Sequence, residues 1–147
     1  MSEILSDKRK QLLGLKKKME EFMPANKIFK GKIIEIKEGY VKTLFPFNKK
    51  FIGNYKKNIW FGGVLSGIVD WVGATAASTI LDDNDINLST VEMKIKYLLP
   101  AVANNDLYAE AEILSFSQNL IRVSIYIRQN EQIITEAKSL FVVMPIE

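Results

Sequence analysis

Trp60-Phe61-Gly62-Gly63-Val64-Leu65-Ser66-Gly67-Ile68-Val69-Asp70-Trp71-Val72-Gly73-Ala74-Thr75-Ala76-Ala77-Ser78-Thr79-Ile80-Leu81 is the stretch that decides how this chain folds. Its 22 residues carry a single charge, Asp70. By length alone they reach across a bilayer. A carboxylate near the middle, however, costs about 2.5–3.5 kcal/mol on insertion, and the rest is rich in small Gly, Ala, Ser and Thr residues. The spacing therefore predicts a helix from Gly62-Gly63 to about Thr79, apolar nearly all round and buried in a protein core.

Working outward, Ile28–Lys37 and Tyr40–Phe47 read as two strands joined at Glu38-Gly39, with Val41, Thr43, Phe45 and Phe47 on one face. A polar, lysine-rich loop from Asn48 to Asn58 leads into the helix, and Asp82-Asp83-Asn84-Asp85 reads as the turn that closes it. Four strands follow, Asn87–Leu98, Asp106–Ser115, Leu120–Gln129 and Ile133–Met144. Val91, Met93, Ile95 and Tyr97 share a face by alternation, as do Ile121, Val123, Ile125 and Ile127 opposite Arg122, Ser124, Tyr126 and Arg128. The short polar breaks between these strands imply antiparallel hairpins throughout. Ahead of all this, Leu5, Leu12, Leu15, Met19 and Phe22 form one stripe of an amphipathic helix ended by Pro24, and its lysine-rich face reads as solvated. Residues 1–24 are thus an N-terminal helix and residues 25–147 one domain. An apolar helix must be enclosed, and a six-stranded antiparallel sheet has one face to enclose it with; Gly63, Gly67, Gly73, Ala74 and Ala77 permit close approach. This is the α+β hotdog arrangement.

Composition narrows the chemistry. The chain has 147 residues, 48% hydrophobic and 25% charged, an ordinary globular balance. It contains no cysteine and no histidine. Disulfides, thiolate zinc sites, Ser-His-Asp and Cys-His triads and imidazole acid–base catalysis are all excluded. Any enzyme here works with carboxylates, hydroxyls, amides, lysine or backbone dipoles. Residues 1–61 hold 15 Lys and Arg against 6 Asp and Glu, and residues 62–147 hold 5 against 11. A basic half suits nucleic acid, an anionic ligand or simple solubility, and sign alone does not choose. The charged start Met1-Ser2-Glu3-Ile4-Leu5-Ser6-Asp7-Lys8 does not read as a signal peptide, so a cytoplasmic location is expected.

Phe61-Gly62-Gly63-Val64-Leu65-Ser66-Gly67-Ile68-Val69-Asp70 and Thr90-Val91-Glu92-Met93-Lys94-Ile95-Lys96-Tyr97-Leu98-Leu99-Pro100-Ala101 resemble the hotdog acyl-CoA thioesterases of the phenylacetate-pathway type. That family typically has His-Gly-Gly, six residues, then Asp on the central helix, and later a strand that begins with Ser or Thr and ends in Pro-Ala. The resemblance spans roughly Phe22 to Val143. It implies hydrolysis of an acyl-CoA thioester, with Asp70 as nucleophile or general base, Thr90 holding the attacking water, and a backbone amide of Gly62 or Gly63 polarising the carbonyl. Asn54, with Asn58 as a second candidate, matches an Asn that helps to place the water. Phe61 stands where the family usually has histidine. No separate cofactor or metal is implied, since coenzyme A is part of the substrate. The implied assembly is a homodimer with shared active sites, paired into a dimer of dimers.

The residues give that chemistry a physical basis. Amide N–H groups at a helix start lack intrahelical partners and receive developing oxyanion charge, helped by about half a positive charge from the macrodipole. The same glycines also permit a tight loop-to-helix entry. Asp70 lies seven residues beyond Gly63, near the same helix face but about 10.5 Å farther along the axis, so one carbonyl does not reach both within a chain. The expectation is that Gly62-Gly63 of one subunit meets Asp70 and Thr90 of its two-fold partner. Trp60, Phe61, Trp71, Phe45 and Phe47 either line an acyl pocket or are core. Lys49, Lys50, Lys56, Lys57 and Arg122 either pair with coenzyme A phosphates or are solvated surface charges. The runner-up is a non-catalytic acyl-CoA-binding or regulatory hotdog protein. A hotdog dehydratase is disfavoured by the absent histidine, and a nucleic-acid binder ranks third.

Overall fold

The computed structural model describes residues 2–82 and 86–145; the turn expected at Asp83-Asn84-Asp85 lies outside them. Its elements are α1 (Ser2–Lys17), a π turn (Lys18–Phe22), α2 (Asn26–Phe29), β1 (Lys32–Lys37), β2 (Tyr40–Phe45), a 3-10 turn (Lys49–Phe51), β3 (Ile52–Asn54), β4 (Ile59–Trp60), α3 (Gly62–Ser78), β5 (Ile86–Tyr97), β6 (Leu107–Ser117), β7 (Leu120–Gln129) and β8 (Gln132–Pro145). Six strands form one antiparallel sheet in the order β1-β2-β6-β7-β8-β5, wrapped around α3. Leu65, Ile68, Val69, Val72, Ala76 and Ala77 of α3 are buried against Val41, Phe45, Ala109, Ala111, Ile121, Val123, Ile125, Ile127 and Phe141 of the sheet. A fully buried Val, Ile or Leu gains roughly 1.5–3 kcal/mol, so this enclosure dominates stability. Gly73 admits the sheet closely, since a Cβ there would lie 3.1 Å from the Phe141 ring, whereas Gly67 faces Phe29 and Gly63 the Phe61 ring rather than the sheet. This is the α+β hotdog fold.

The hairpin expectation holds for β1–β2, β6–β7 and β7–β8 but not for β5–β6. Strand β5 pairs with β8 and lies three sheet positions from β6. Three strand spacings are about 14 Å, a gap that nine extended residues span easily, so a short break here permits a crossover as readily as a hairpin. Residues 98–106 make that crossing over the end of the sheet next to the start of α3. Further differences are local. Residues Asn26–Phe29 are helical where a strand from Ile28 was expected, and the polar loop folds into the small β3–β4 pair. On β5, Thr90 pairs with Phe141 and Glu92 with Leu140, so Val91 is an extra, bulged residue; it is 55% exposed and does not share the face of Met93, Ile95 and Tyr97.

Helix α1 caps the far end of α3. The Lys8 ammonium donates to the carbonyl of Thr79, the C-cap residue of α3, and the Gln11 amide to the Leu81 carbonyl just beyond, placing donors and a positive charge at the negative end of the helix. Leu12 and Leu15 are half-buried and Met19 is buried, as the stripe predicts. Phe22 is not: the π turn, closed by the Met23 N–H bonding the Lys18 carbonyl at 3.0 Å, inserts extra chain per turn and swings Phe22 outward, 68% exposed. Met23 packs against the core instead.

Candidate active site

Helix α3 opens with no side-chain cap. Its N-cap residue Phe61 is extended at φ −67° and ψ 130° and offers no side-chain acceptor. The first intrahelical donors are Val64 and Leu65, both bonding the Phe61 carbonyl. Among the described residues nothing accepts from the N–H groups of Gly62 and Gly63, so two amide donors and the positive end of the helix face outward together. The Phe61 ring lies over Gly63, where a Cβ would come within 2.6 Å of it, and the Phe61 backbone crowds Gly53 equally closely. At Gly53, crowded by backbone, glycine is a packing requirement of this loop-to-helix entry; at Gly63 a side chain would displace the exposed Phe61 ring.

The β5–β6 crossover walls this helix start. Trp60 N–H donates to the Ala101 carbonyl at 2.8 Å, and Ala103 N–H donates to the Asn58 carbonyl at 2.9 Å. The buried Gln129 amide holds Val102 from both sides, accepting from its N–H at 2.7 Å and donating to its carbonyl at 2.8 Å. Between crossover and helix lies a groove of about 320 Å³, lined by Ile59, Trp60, Gly62, Leu65, Tyr97 and residues 98–101. Its walls are mainly apolar, and the Tyr97 hydroxyl sits 3.4 Å from the Gly62 carbonyl.

Two turns along the helix, Asp70 emerges half-buried between the buried Val69 and Trp71. The Thr90 hydroxyl donates to its Oδ1 at 2.7 Å. The bulge at Val91 makes this bond possible. Strict alternation puts Thr90 on the outer face with Glu92 and Lys94; the extra residue resets the phase, so Thr90 sits opposite the inward Phe141 and turns toward α3. Thr90, the fifth of the 12 residues of β5, and Tyr97, its last, therefore flank Asp70 and Gly62 respectively.

The other expected site residues are distributed unevenly. Asn54 spends its side-chain oxygen on the Lys56 N–H at 2.9 Å within its own turn. Asn58, in a left-handed conformation at φ 49°, closes that turn by donating its N–H to the Asn54 carbonyl. Trp60 is buried against Phe47 and Phe51 with its indole N–H on the Val102 carbonyl, so it supports the groove from beneath. Trp71 is buried edge-on to Phe45, away from solvent. Phe61 is 57% exposed beside the helix start. Lys49, Lys50, Lys56 and Lys57 are exposed on the loop preceding α3. Arg122 lies on the outer sheet face with Glu92, Lys94 and Lys138, the face opposite α3. Sequence reading missed Gln129 and Tyr97. Alternation after Ile121, Val123, Ile125 and Ile127 already puts Gln129 on the buried face, and an amide at a core position is the signal. Among the described residues no group of three or more acidic side chains is placed to hold a metal, and no helix is long and apolar enough to cross a membrane.

Fold and site together define a hotdog protein with an open helix start and a hydroxyl-held aspartate. Residues 57–135, more than half the chain, match the family model described as the thioesterase superfamily, and the chain belongs to that superfamily. No curated protein matches it. Among solved structures it is similar to a thioesterase from Haemophilus influenzae, with 17% identity over 92% of this chain and 91% of that one and a TM-score of 0.78. It is also similar to a putative thioesterase, a phenylacetic acid degradation-related protein, from Ralstonia eutropha, with 20% identity over 87% and 98% and a TM-score of 0.77. A Streptococcus mutans protein bound to acetyl CoA has 14% identity over 80% and 90% and a TM-score of 0.70.

Proposed function

We propose that this protein is an acyl-CoA thioesterase of the phenylacetate-pathway type whose active site is completed by a second copy of the chain. Asp70 acts as general base on a water held with Thr90, or attacks directly as nucleophile. In the general-base form the water proton passes to the carboxylate and its oxygen bonds to the thioester carbon. The carbonyl electron pair moves onto oxygen, where the N–H groups of Gly62 and Gly63 from the partner copy receive it. Collapse re-forms the carbonyl and breaks the carbon–sulfur bond. Thiols ionise near pH 8–9, so the departing coenzyme A thiolate needs no imidazole to protonate it, and a chain without histidine can run this chemistry.

The observation that carries the reading is the 2.7 Å Thr90–Asp70 bond, facing the same edge strand as the uncapped glycines. That edge also supports the dimer. Strand β5 has 12 residues, and among those described no strand pairs with its outer edge, an arrangement that invites another strand. Antiparallel pairing of two β5 strands about a two-fold axis between Met93 and Lys94 sets Thr90 of one copy beside Tyr97 of the other. Asp70 and Gly62, flanked by those residues, then come together across the axis. The acetyl CoA bound by the Streptococcus mutans protein favours a coenzyme A ester as ligand.

A thiol-release assay across short, long and aromatic acyl-CoAs tests this. Wild type hydrolyses at least one class, and Asp70→Asn stays folded yet loses about a hundredfold or more in turnover. Near-normal turnover of Asp70→Asn overturns the role given to Asp70. The exposed Phe61 ring at the imidazole position favours a second reading, acyl-CoA binding without hydrolysis; saturable binding with no thiol released over the whole panel selects it.

A further inference from the structure

The segment that follows the π turn opens on a tight turn. From Asn26 to Ile28 each N–H bonds the carbonyl three residues back, at 3.0–3.1 Å, giving close to three residues per turn. Over Met23 to Ile28 residues three apart therefore lie close to one line, before the Phe29 and Lys30 N–H groups bond four residues back, to Ala25 and Asn26. Met23, Asn26 and Phe29 face inward: Met23 and Phe29 pack on the core, and the Phe29 ring sits over Gly67 of α3. Asn26 is buried, donating to the Glu20 and Gly31 carbonyls and accepting from Gly31 N–H. Ala25 and Ile28, together with Phe22 at the end of the π turn, are exposed, Phe22 at 68% and Ile28 at 63%. Pro24, Lys27 and Lys30 are also exposed.

The result is an exposed apolar ridge beside a basic one. Holding two large apolar side chains in water opposes the hydrophobic effect, and the inward anchoring of Met23, Asn26 and Phe29 turns the opposite side of the segment outward. Its surroundings are cationic. Between positions 17 and 32 lie Lys17, Lys18, Lys27, Lys30 and Lys32, all exposed, against two acids, and Glu20 is already engaged by the Ile33 N–H at 2.8 Å.

We infer that this ridge is a docking element for an anionic lipid surface: Phe22 and Ile28 enter the headgroup–acyl boundary while Lys27 and Lys30 meet acidic headgroups. Charge complementarity selects this occupant. A second copy would set the same lysines against each other, whereas an anionic bilayer offers an apolar layer beneath a negative one. The ridge lies outside the residues assigned to hydrolysis, so the inference stands independently of the proposed catalytic activity.

Co-sedimentation of the full chain with vesicles of equal phosphatidylglycerol and phosphatidylcholine, against vesicles of phosphatidylcholine alone, tests it. Binding is expected to the anionic vesicles and to weaken with added salt. Phe22→Ser with Ile28→Ser lowers the partition at least about tenfold, and Lys27→Glu with Lys30→Glu does the same, with unchanged melting temperature. Phe22→Trp adds a fluorophore whose emission shifts to the blue on vesicle addition. Absence of binding to anionic vesicles overturns the inference, as does full binding by the serine variant. A change in oligomeric state caused by that variant, or salt-sensitive binding of duplex DNA lost in the same variants without vesicle binding, assigns the ridge to another partner and also overturns it.

Discussion

Replacing Thr90 by valine keeps a β-branched side chain on the same face of β5 and removes only the hydroxyl that meets Asp70 at 2.7 Å. A hydrogen bond to a charged acceptor contributes about 1.5–3 kcal/mol when sheltered. Here the pair lies at an edge open to water, which replaces the lost donor in the resting protein, so stability falls by less than about 1 kcal/mol. Turnover falls further, because water does not fix the carboxylate in one orientation. If positioning contributes 1.4–2.7 kcal/mol to the barrier, the rate drops by about 10–100-fold. The assay is thiol release at saturating acyl-CoA, with the melting temperature measured alongside. Thr90→Ser retains a hydroxyl donor and recovers most of the loss. Thr90→Val turning over within twofold of wild type, or Thr90→Ser failing as badly as Thr90→Val, refutes the argument that the bulged strand presents a hydroxyl to Asp70.

Two further outcomes follow from the geometry. Gln129→Leu leaves the Val102 N–H without its acceptor and removes a donor from the Val102 carbonyl; the cost is about 1–3 kcal/mol, or a melting temperature lower by roughly 3–10 °C, with faster hydrogen exchange along residues 98–106. The phenol of Tyr40 is pushed up to about 12 by burial first, then by its hydrogen bond to Glu110 and the charges of Glu110, Glu35 and Glu112. Its folded-state value lies above the unfolded one, so the unfolded chain loses this proton first as the medium turns alkaline. The contribution is intact below pH 10 and lost as pH rises toward 12. An ultraviolet tyrosinate titration accordingly contains a late step, and Tyr40→Phe removes it.

Much of the architecture was legible because burial imposes a period. Ile121, Val123, Ile125 and Ile127 announce β7 and its buried face, and an all-round apolar run with one carboxylate announces a central helix. Where the period is broken by backbone geometry, the letters mislead. Val91 looks inward by alternation, yet one bulged residue sends it out and brings Thr90 in. Phe22 fits the stripe of α1 until a π turn rotates it into water. Strand order was also hidden, because a short break has enough reach for either a hairpin or the β5–β6 crossover. At the site, the Gly62-Gly63 and Asp70 spacing is local and could be read directly. Gln129, Tyr97 and the groove wall depend on residues that come together only through that crossover.

The central claim is that one copy supplies Asp70 while the other supplies the amide donors at the start of α3. Gly62→Pro isolates the donor, because proline is tolerated at the first helical position and Phe61 already holds the extended conformation that a residue before proline needs. A Cβ at Gly62 meets only Tyr97, at 3.8 Å. Thiol release is measured for Asp70→Asn, for Gly62→Pro, and for the two unfolded together in equal amounts and refolded. Half of the randomly paired dimers are then mixed, each with one intact site of two, and the account predicts inactive parents and recovery to about a quarter of wild-type turnover. Activity in the mixture no higher than in the separate variants contradicts it.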